Sequence, residues 1–144
     1  LREFEKNTND RLVYLIAGSL SDDISELAKK MITRDSRIKY LGWKNGDELH
    51  RYLNACDVYV QPGKVSAIAQ DAICRNSIVI LNNLPEYKLF VLGNGWLIND
   101  PSELKEIFDK ITNGKVDIKA AKSESKEVAK KYFDYKTLAA RLYQ

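Results

Sequence analysis

A loop and helix start beyond the apolar segment 57–61 carry residue types that suit the binding of an anion. Gly63 breaks the segment, Lys64 adds a positive charge, and the pattern predicts a helix that begins near Ser66. The unpaired backbone N–H groups at a helix start attract phosphate or carboxylate groups. The residues therefore predict an anion site in this loop, and an ordinary capped helix beside a solvated lysine is the competing interpretation.

Two common nucleotide-binding signatures do not fit the sequence. The Walker phosphate-binding motif fails, because Val58 stands where its first glycine belongs and Val65 follows the lysine. The glycine-rich dinucleotide fingerprint also fails, because Gly18 is the single glycine after the first apolar segment. Gly18 and Ser19 predict either a loop near a phosphate or sugar, or a tight turn that needs a small residue.

Asp71 and Trp43 are candidates for contacts with other parts of a nucleotide. Asp71 lies about one and a half turns into the helix predicted from Ser66, near the edge of its buried face. A carboxylate there can accept hydrogen bonds from two vicinal hydroxyls, such as those of a ribose, but spacing alone favours a surface aspartate. Trp43 follows a predicted strand, where its ring can flank a planar base or pack on the rim of the sheet.

The histidine and cysteine content limits the catalytic chemistry that is available. His50 is the only histidine, so a Ser-His-Asp triad depends on it and a histidine-rich metal site cannot be built. The pattern predicts a surface position on a helix for His50, and small core positions for Cys56 and Cys74. A receiver-type phosphoacceptor is disfavoured, because Asp57 stands at the start of its predicted strand and not at the carboxyl end.

Length and composition indicate one ordinary domain. The chain has 144 residues, of which 44% are hydrophobic and 30% charged, and this supports a single core and disfavours disorder. The formal net charge is +3 and the surplus lies in residues 115–144, so the remainder is nearly neutral and a dedicated nucleic-acid binder is disfavoured. No apolar run approaches the roughly 20 residues that cross a bilayer, and a reducing cytoplasm is the predicted compartment.

Five lysines at spacings of four, three, four and four form one stripe near the C-terminus. They are Lys115, Lys119, Lys122, Lys126 and Lys130. A solvated outer helix face is the ordinary interpretation. The alternative is weak contact with an anionic membrane surface, to which each basic residue contributes about 1 kcal/mol.

Short apolar strands alternate with helical patterns along the chain. The predicted strands are 11–17, 37–41, 57–61, 77–81 and 95–98. The predicted helices begin at or next to Ser21, Gly46, Ser66, Pro85 and Pro101. A last helical region at 116–143 is predicted to break near Asp134. In the helix after Ser21, Ile24 and Leu27 are among the residues predicted to face the core. The alternation predicts an α/β fold, a three-layer doubly wound Rossmann-like sandwich with a mostly parallel sheet of about five to six strands.

Six short segments occur in a recognisable order. They are LVYLIAG at 12–18, IKYLG at 38–42, DEL at 47–49, ACDVYVQP at 55–62, DAICRNSIVI at 71–80 and GNGWLI at 93–98. Together they resemble the C-terminal domain of family 4 glycosyltransferases of the GT-B type. That family shows L-x-I-x-G, F-L-G, E-L, A-D-V-x-V-x-P-S, E-A-x-A-x-G-x-P-V-I and N-G-x-L-V in the same order. No single piece is specific, but the six with compatible spacings cover nearly the whole chain.

The resemblance implies one nucleotide-sugar-binding domain over residues 1–144, the C-terminal half of a two-domain enzyme whose N-terminal acceptor domain is absent. In the family an acidic residue at the place of Asp71 binds the donor ribose, and the residue at Trp43 borders the base. Backbone amides before that acid, in a stretch that begins at Val65, meet the pyrophosphate and the sugar. The expected donor-binding residues are Gly18, Ser19, Trp43, Gly63, Lys64, Val65, Ser66, Ala67, Ile68 and Asp71.

The sequence departs from the family pattern at three residues and in the length of one loop. The family usually has two glutamates, and Gly63 stands where the first belongs, so that role is unassigned. Asp71 stands for the second glutamate and is shorter by one methylene. Asn76 replaces the usual glycine, and the loop before Ser66 is shorter than the common pattern.

The resemblance implies the donor-binding half of a retaining glycosyltransferase. The full enzyme would transfer a sugar from a nucleoside-diphosphate sugar, with UDP preferred, to a lipid-linked acceptor in bacterial surface-glycan synthesis of the O-antigen (lipopolysaccharide) or capsule type. The resemblance implies no cofactor and no metal site, leaves the catalytic residues unknown, and predicts that the fragment alone is inactive. The implied partners are the donor, the N-terminal domain and the acceptor, with no nucleic acid. The implied location is the cytoplasm, peripheral at the inner face of the plasma membrane.

Two other functions stay open on the sequence. The first is half of a UDP-sugar epimerase-like enzyme. Such an enzyme has the same nucleotide site, so only an assay of the products of the full protein distinguishes it from a glycosyltransferase. A non-catalytic Rossmann-like binding domain with a decayed site is favoured by the missing first acid at Gly63 and by the short loop.

Overall fold

The computed structural model describes residues 1–142, which form five strands alternating with helices. The strands are β1 (Tyr14–Ala17), β2 (Ile38–Gly42), β3 (Val58–Gln61), β4 (Ile78–Asn82) and β5 (Gly95–Ile98). The helices are α1 (Arg2–Glu5), α2 (Asp22–Arg34), α3 (Gly46–Ala55), α4 (Ala67–Cys74), α5 (Glu103–Thr112), α6 (Ile118–Tyr132) and α7 (Tyr135–Leu142). Every strand pair is parallel, β1 with β2 and β4 between β3 and β5. The predicted α/β class with parallel strands is confirmed.

The chain divides into two compact units. The first comprises Leu1–Leu49 and Ser102–Lys115, and the second comprises His50–Pro101 and Val116–Gln144, of which residues 143 and 144 lie outside the described residues. Each unit has its own set of paired strands. A single domain over 1–144 stays a prediction.

In the first unit, the N-terminal residues pack against α5. Phe4 is 2% exposed, and its ring meets Phe108 edge-on with 6.0 Å between the centroids. The Asn7 side-chain amide donates to Asp109 Oδ1 at 2.8 Å and to Thr112 Oγ1 at 3.1 Å. Apolar contact and two hydrogen bonds therefore join segments about a hundred residues apart in the chain.

Arg37 connects three parts of the first unit. Its guanidinium donates to both carboxylate oxygens of Asp35 and to the backbone carbonyls of Asn7 and Asn9. It also lies over the Phe4 ring, 4.8 Å from the centroid. The Arg37 hydrogen bonds hold the pKa of Asp35 below its ordinary value, because they favour the charged carboxylate. This cluster fixes the turn that leads into β2.

In the second unit, β4 is the central strand and is fully buried. Residues 78–81 are 0% exposed, which agrees with their continuous apolar character. Helices α4 and α6 pack on β4 and on each other. The Ser125 hydroxyl of α6 donates to the Ser77 carbonyl at 2.6 Å, and the Ser77 hydroxyl donates to the Leu53 carbonyl at 3.4 Å. Buried polar groups thus link α3, β4 and α6.

Asn76 has a φ of 60° and ends α4 in the left-handed conformation. The Asn76 amide donates to the Ile73 carbonyl at 2.9 Å, and the Ser77 amide donates to the Ala72 carbonyl at 3.0 Å. This is the Schellman pattern, in which glycine is the commonest residue and asparagine the usual replacement. Asparagine is the non-glycine residue that best tolerates this conformation, so Asn76 meets the backbone requirement of the helix end.

Several predicted boundaries are wrong by a few residues. Strand β1 begins at Tyr14, because a turn occupies the preceding residues and the Leu12 amide donates within it. The helix expected after Pro85 is a single 3₁₀ turn, and α5 begins at Glu103, so Pro101 precedes the helix. Turn chemistry at these ends outweighs hydrophobic periodicity.

Some predicted core positions are also wrong. Ile24 and Leu27 of α2 are 50% and 48% exposed. The apolar face of α2 is therefore wider than the part of the helix that the rest of the first unit buries. Cys74 is exposed and Cys56 is half-buried, although core positions were expected for both. The break expected near Asp134 is confirmed between α6 and α7, while residue 143 of that region lies outside the described residues. Within residues 1–142, no helix combines the length and apolarity that crossing a bilayer requires.

Replacing Gly95 by alanine tests the close approach of β5 to β4. A Cβ on Gly95 would overlap the backbone carbonyl of Val79, which cannot retreat because β4 is buried. We expect Gly95→Ala to lower the free energy of unfolding by more than about 2 kcal/mol in urea denaturation. Gly46→Ala is the control, because a Cβ meets open space there. An equal loss in both variants would contradict the packing argument.

Asn76 provides a second stability test. Asn76→Ala is expected to cost about 1 kcal/mol, because alanine is strained in the left-handed region. Asn76→Gly is expected to keep or raise the thermal midpoint, because glycine adopts this conformation freely. Thermal unfolding of both variants measures the difference, and the conformational explanation fails if alanine is tolerated as well as glycine.

Candidate functional site

A hydrogen-bond network holds the loop between β3 and α4. The hydroxyl of the buried Tyr87 accepts from the Ser66 amide at 2.9 Å and donates to the Lys64 carbonyl at 3.3 Å. The Gln61 side-chain amide, at the end of β3, donates to the same Lys64 carbonyl at 3.0 Å. The Tyr59 hydroxyl donates to Gln61 Oε1. Side chains from β3 and from the segment after β4 thus fix the loop.

The start of α4 is capped by Ser66, the feature that the sequence offered as the competing interpretation to an anion site. The Ser66 hydroxyl accepts from the Ile68 amide at 3.1 Å. The amide of Ala67, the first residue of the helix, has no intrahelical acceptor because of the geometry of a helix start. Lys64 is exposed in the same loop. The loop and helix start combine a fixed backbone, an available amide and a positive charge, which is an arrangement able to bind an anion.

Asp71 lies among side chains of two other elements. Its Oδ2 atom is 3.5 Å from Nε2 of His50 on α3, and its side chain is 49% exposed. Burial raises the pKa of the Tyr59 hydroxyl on β3, and the nearby Tyr87 and the charge of Asp71 raise it further. The Asp71 carboxylate is therefore close to both α3 and β3 and remains accessible to a ligand.

The remaining predicted residues lie in the first unit, at the carboxyl ends of β1 and β2. The Gly18 amide donates to the Gly42 carbonyl at 2.9 Å, and the Tyr40 hydroxyl donates to the Gly18 carbonyl at 2.9 Å. Gly18 has a φ of 127°, so a glycine is required there. Ser19 follows it and is exposed, and Trp43 is 71% exposed. A ring that exposed has a free face for a planar group.

A shallow cleft at the amino end of β2 is a different feature of the first unit. It is lined by Glu5, Asp10, Arg34, Asp35, Ser36 and Arg37. Arg34 pairs with Glu5 at 3.1 Å, and Arg37 pairs with Asp35 at 2.6 Å. Because both guanidinium groups already pair with carboxylates, the cleft offers a poor site for an anion.

Three residues at the loop and one beside Asp71 have contacts that the sequence did not predict. Tyr59 and Gln61 are two positions apart in β3 and so share a face, a spacing that could have indicated their contact. Tyr87 carries no local signal, because its partners lie more than twenty residues earlier. His50 is at the surface as predicted, but its proximity to Asp71 depends on how α3 packs.

Solved structures share this fold. HepE of Anabaena, in complex with UDP-glucose, matches with a TM-score of 0.77 and 18% identity, over 99% of this chain and 42% of that chain. The pneumococcal O-GlcNAc transferase GtfA, in complex with UDP and GlcNAc, matches with a TM-score of 0.70 and 17% identity, over 91% of this chain and 28% of that chain. TarM matches with a TM-score of 0.72 and 16% identity, over 98% of this chain and 30% of that chain. This chain spans less than half the length of these relatives.

The matches show that the fold is an α/β Rossmann-like domain of the GT-B type, and they fall on the C-terminal half of these glycosyltransferases. The resemblance predicted from the sequence is confirmed at the level of the fold. No protein-family model and no curated protein sequence matches the chain.

Removing the Tyr87 hydroxyl tests the loop network. Tyr87→Phe leaves the Ser66 amide without its acceptor, so we expect a loss of about 1–2 kcal/mol in stability and faster hydrogen exchange at Ser66. Tyr135→Phe is the control, because Tyr135 is 82% exposed and the change should leave both measurements unaltered. Unchanged exchange at Ser66 in Tyr87→Phe would show that the loop is held by other contacts.

Proposed function

We propose that the chain is the donor-binding half of a retaining glycosyltransferase that uses a UDP-sugar. The observation that carries the proposal is the fixed loop and helix start at 62–67 with the accessible Asp71 carboxylate on the same helix. The fold supports it, since HepE and GtfA, which share the fold, are described in complex with UDP-glucose and with UDP and GlcNAc.

In this proposal the loop binds the diphosphate. Lys64 supplies positive charge, and the Ala67 amide, with the helix dipole behind it, is available to donate to a phosphate oxygen. These groups stabilise the negative charge that develops on the diphosphate as it leaves the sugar. Gly63 and Val65 belong to the proposed binding stretch through their backbone. Ser66 and Ile68 belong to it as the residues whose amides, bonded to the Tyr87 and Ser66 hydroxyls, fix its shape.

Asp71 is proposed to accept hydrogen bonds from the ribose hydroxyls. Its carboxylate is half exposed, which leaves room for a ligand. For the first unit the resemblance gives a separate expectation, that Gly18, Ser19 and Trp43 contact the nucleotide. The exposed ring of Trp43 and the open loop at Gly18 support that expectation.

The activity of the whole enzyme is part of the proposal. The enzyme would transfer the sugar to a lipid-linked acceptor in bacterial surface-glycan synthesis, with an N-terminal domain supplying the acceptor site, at the cytoplasmic face of the membrane. The 144 residues alone are expected to be inactive. The contribution of the lysine stripe to membrane contact is reduced, because Lys122 pairs with Asp57 at 2.6 Å and Lys130 pairs with Glu127 at 2.7 Å.

Nucleotide titration tests the proposed function. We expect saturable binding of UDP and UDP-glucose to the 144-residue chain in protein NMR, with shifts at the amides of 63–68. Asp71→Ala should weaken UDP binding about ten-fold, because hydrogen bonds to a charged acceptor are lost.

Asp57→Ala is the matched control for this titration. Asp57 is an exposed aspartate of the same unit that pairs with Lys122, and its removal should leave UDP binding unchanged. Saturable binding of GDP alone would overturn the choice of base. Failure of every nucleotide to bind at millimolar concentration would contradict the proposal and favour the non-catalytic domain with a decayed site.

A further inference from the structure

In the second unit, the part of α3 from His50 onward meets α4 through two side-chain pairs at the same spacing. His50 Nε2 is 3.5 Å from Asp71 Oδ2, and the Arg75 guanidinium donates to Asn54 Oδ1 at 3.0 Å. His50 and Asn54 are four residues apart on α3, and Asp71 and Arg75 are four residues apart on α4. Residues at this spacing share one helix face, so the two pairs lie one helical turn apart along the same interface.

Buried contacts fix this part of α3. Leu53 is 5% exposed, and its carbonyl accepts from the hydroxyl of Ser77, which is itself fully buried. A helix held at this point cannot rotate without breaking the Arg75–Asn54 hydrogen bond as well. The packing of the unit therefore sets the position of the His50 backbone, and its side chain needs only a suitable rotamer to lie beside Asp71.

One oxygen of the Asp71 carboxylate lies beside the imidazole. Oδ2 is 3.5 Å from His50 Nε2, longer than an ordinary hydrogen bond and within ion-pair distance of a protonated imidazole. An aspartate has one fewer rotatable bond than a glutamate, so a neighbour that attracts one oxygen narrows the directions open to the other. Both side chains are partly exposed, 38% for His50 and 49% for Asp71, so a ligand can reach the pair.

We infer that His50 is a positioning residue for Asp71, and that the pair makes nucleotide binding selective for ribose over 2′-deoxyribose. The inference rests on the proposed function, because it requires Asp71 to meet the ribose hydroxyls. His50 acts through Asp71 and contributes no separate contact with the nucleotide. Removing either side chain should therefore have the same consequence for selectivity.

The test compares the dissociation constants of UDP and 2′-deoxy-UDP for the 144-residue chain, measured by NMR titration. The wild-type chain is expected to prefer UDP about ten-fold, the effect of one hydrogen bond to a charged group. His50→Ala and Asp71→Ala should each reduce this preference to about two-fold or less, and the double variant should behave like Asp71→Ala, because the two residues act as one unit. His50→Gln should retain most of the preference, since its amide carries a donor near the place of Nε2.

Asn54→Ala is the control on the same face of α3. It removes the neighbouring contact with Arg75 and leaves His50 and Asp71 in place, so the preference for UDP should persist. Near-UV circular dichroism of each variant verifies folding, and His50→Gln keeps the test decisive if His50→Ala does not fold.

The outcomes separate this inference from the proposed function. If His50→Ala keeps the wild-type preference while Asp71→Ala loses it, His50 is a bystander, and the inference is wrong while the function stands. Additive losses in the double variant, or a lost preference in Asn54→Ala, would also overturn it. If the wild-type chain binds UDP and 2′-deoxy-UDP equally, Asp71 does not read the ribose and the inference fails. If UDP does not bind at all, the proposed function fails first.

Discussion

Strand β4 is shielded from solvent from Ile78 to Leu81 and is paired along both edges with parallel neighbours. Its register determines where the other strands of the second unit end. Gln61, the last residue of β3, lies opposite Leu81, so its side chain leaves the sheet beside the loop that follows. At the other edge, Gly95 allows β5 to approach β4 without a side chain between them. A substitution that moves β4 would therefore displace the loop, even though every residue of the loop is unchanged.

The loop after β3 is held by side chains of the protein itself. The Tyr87 hydroxyl and the Gln61 side-chain amide both donate to the carbonyl of Lys64. A tyrosine hydroxyl is suited to this position because it accepts one bond and donates another. A loop ordered in this way loses little conformational freedom when an anion binds, which favours affinity and a defined orientation.

Elements whose cause is local could be predicted from the sequence, and contacts between distant segments could not. The apolar run in β4 and the helix start near Ser66 both have local causes, and both are confirmed. The Asn76 substitution is explained once its φ is known, since the sequence shows the residue but not the backbone angle. Tyr87 and His50 have partners on other elements, so only the packed structure places them beside the loop and beside Asp71.

The first unit is discontinuous in the chain, and this affects the order in which it can form during synthesis. Its N-terminal part ends at Leu49, but Asn7 bonds to α5 residues, and Phe4 packs against Phe108. A growing chain must therefore carry Phe4 without its Phe108 contact until α5 has left the ribosome. By then most of the second unit has already been synthesised. Long separation between contacting segments slows closure of the first unit and lengthens its exposure to wrong partners in the cell.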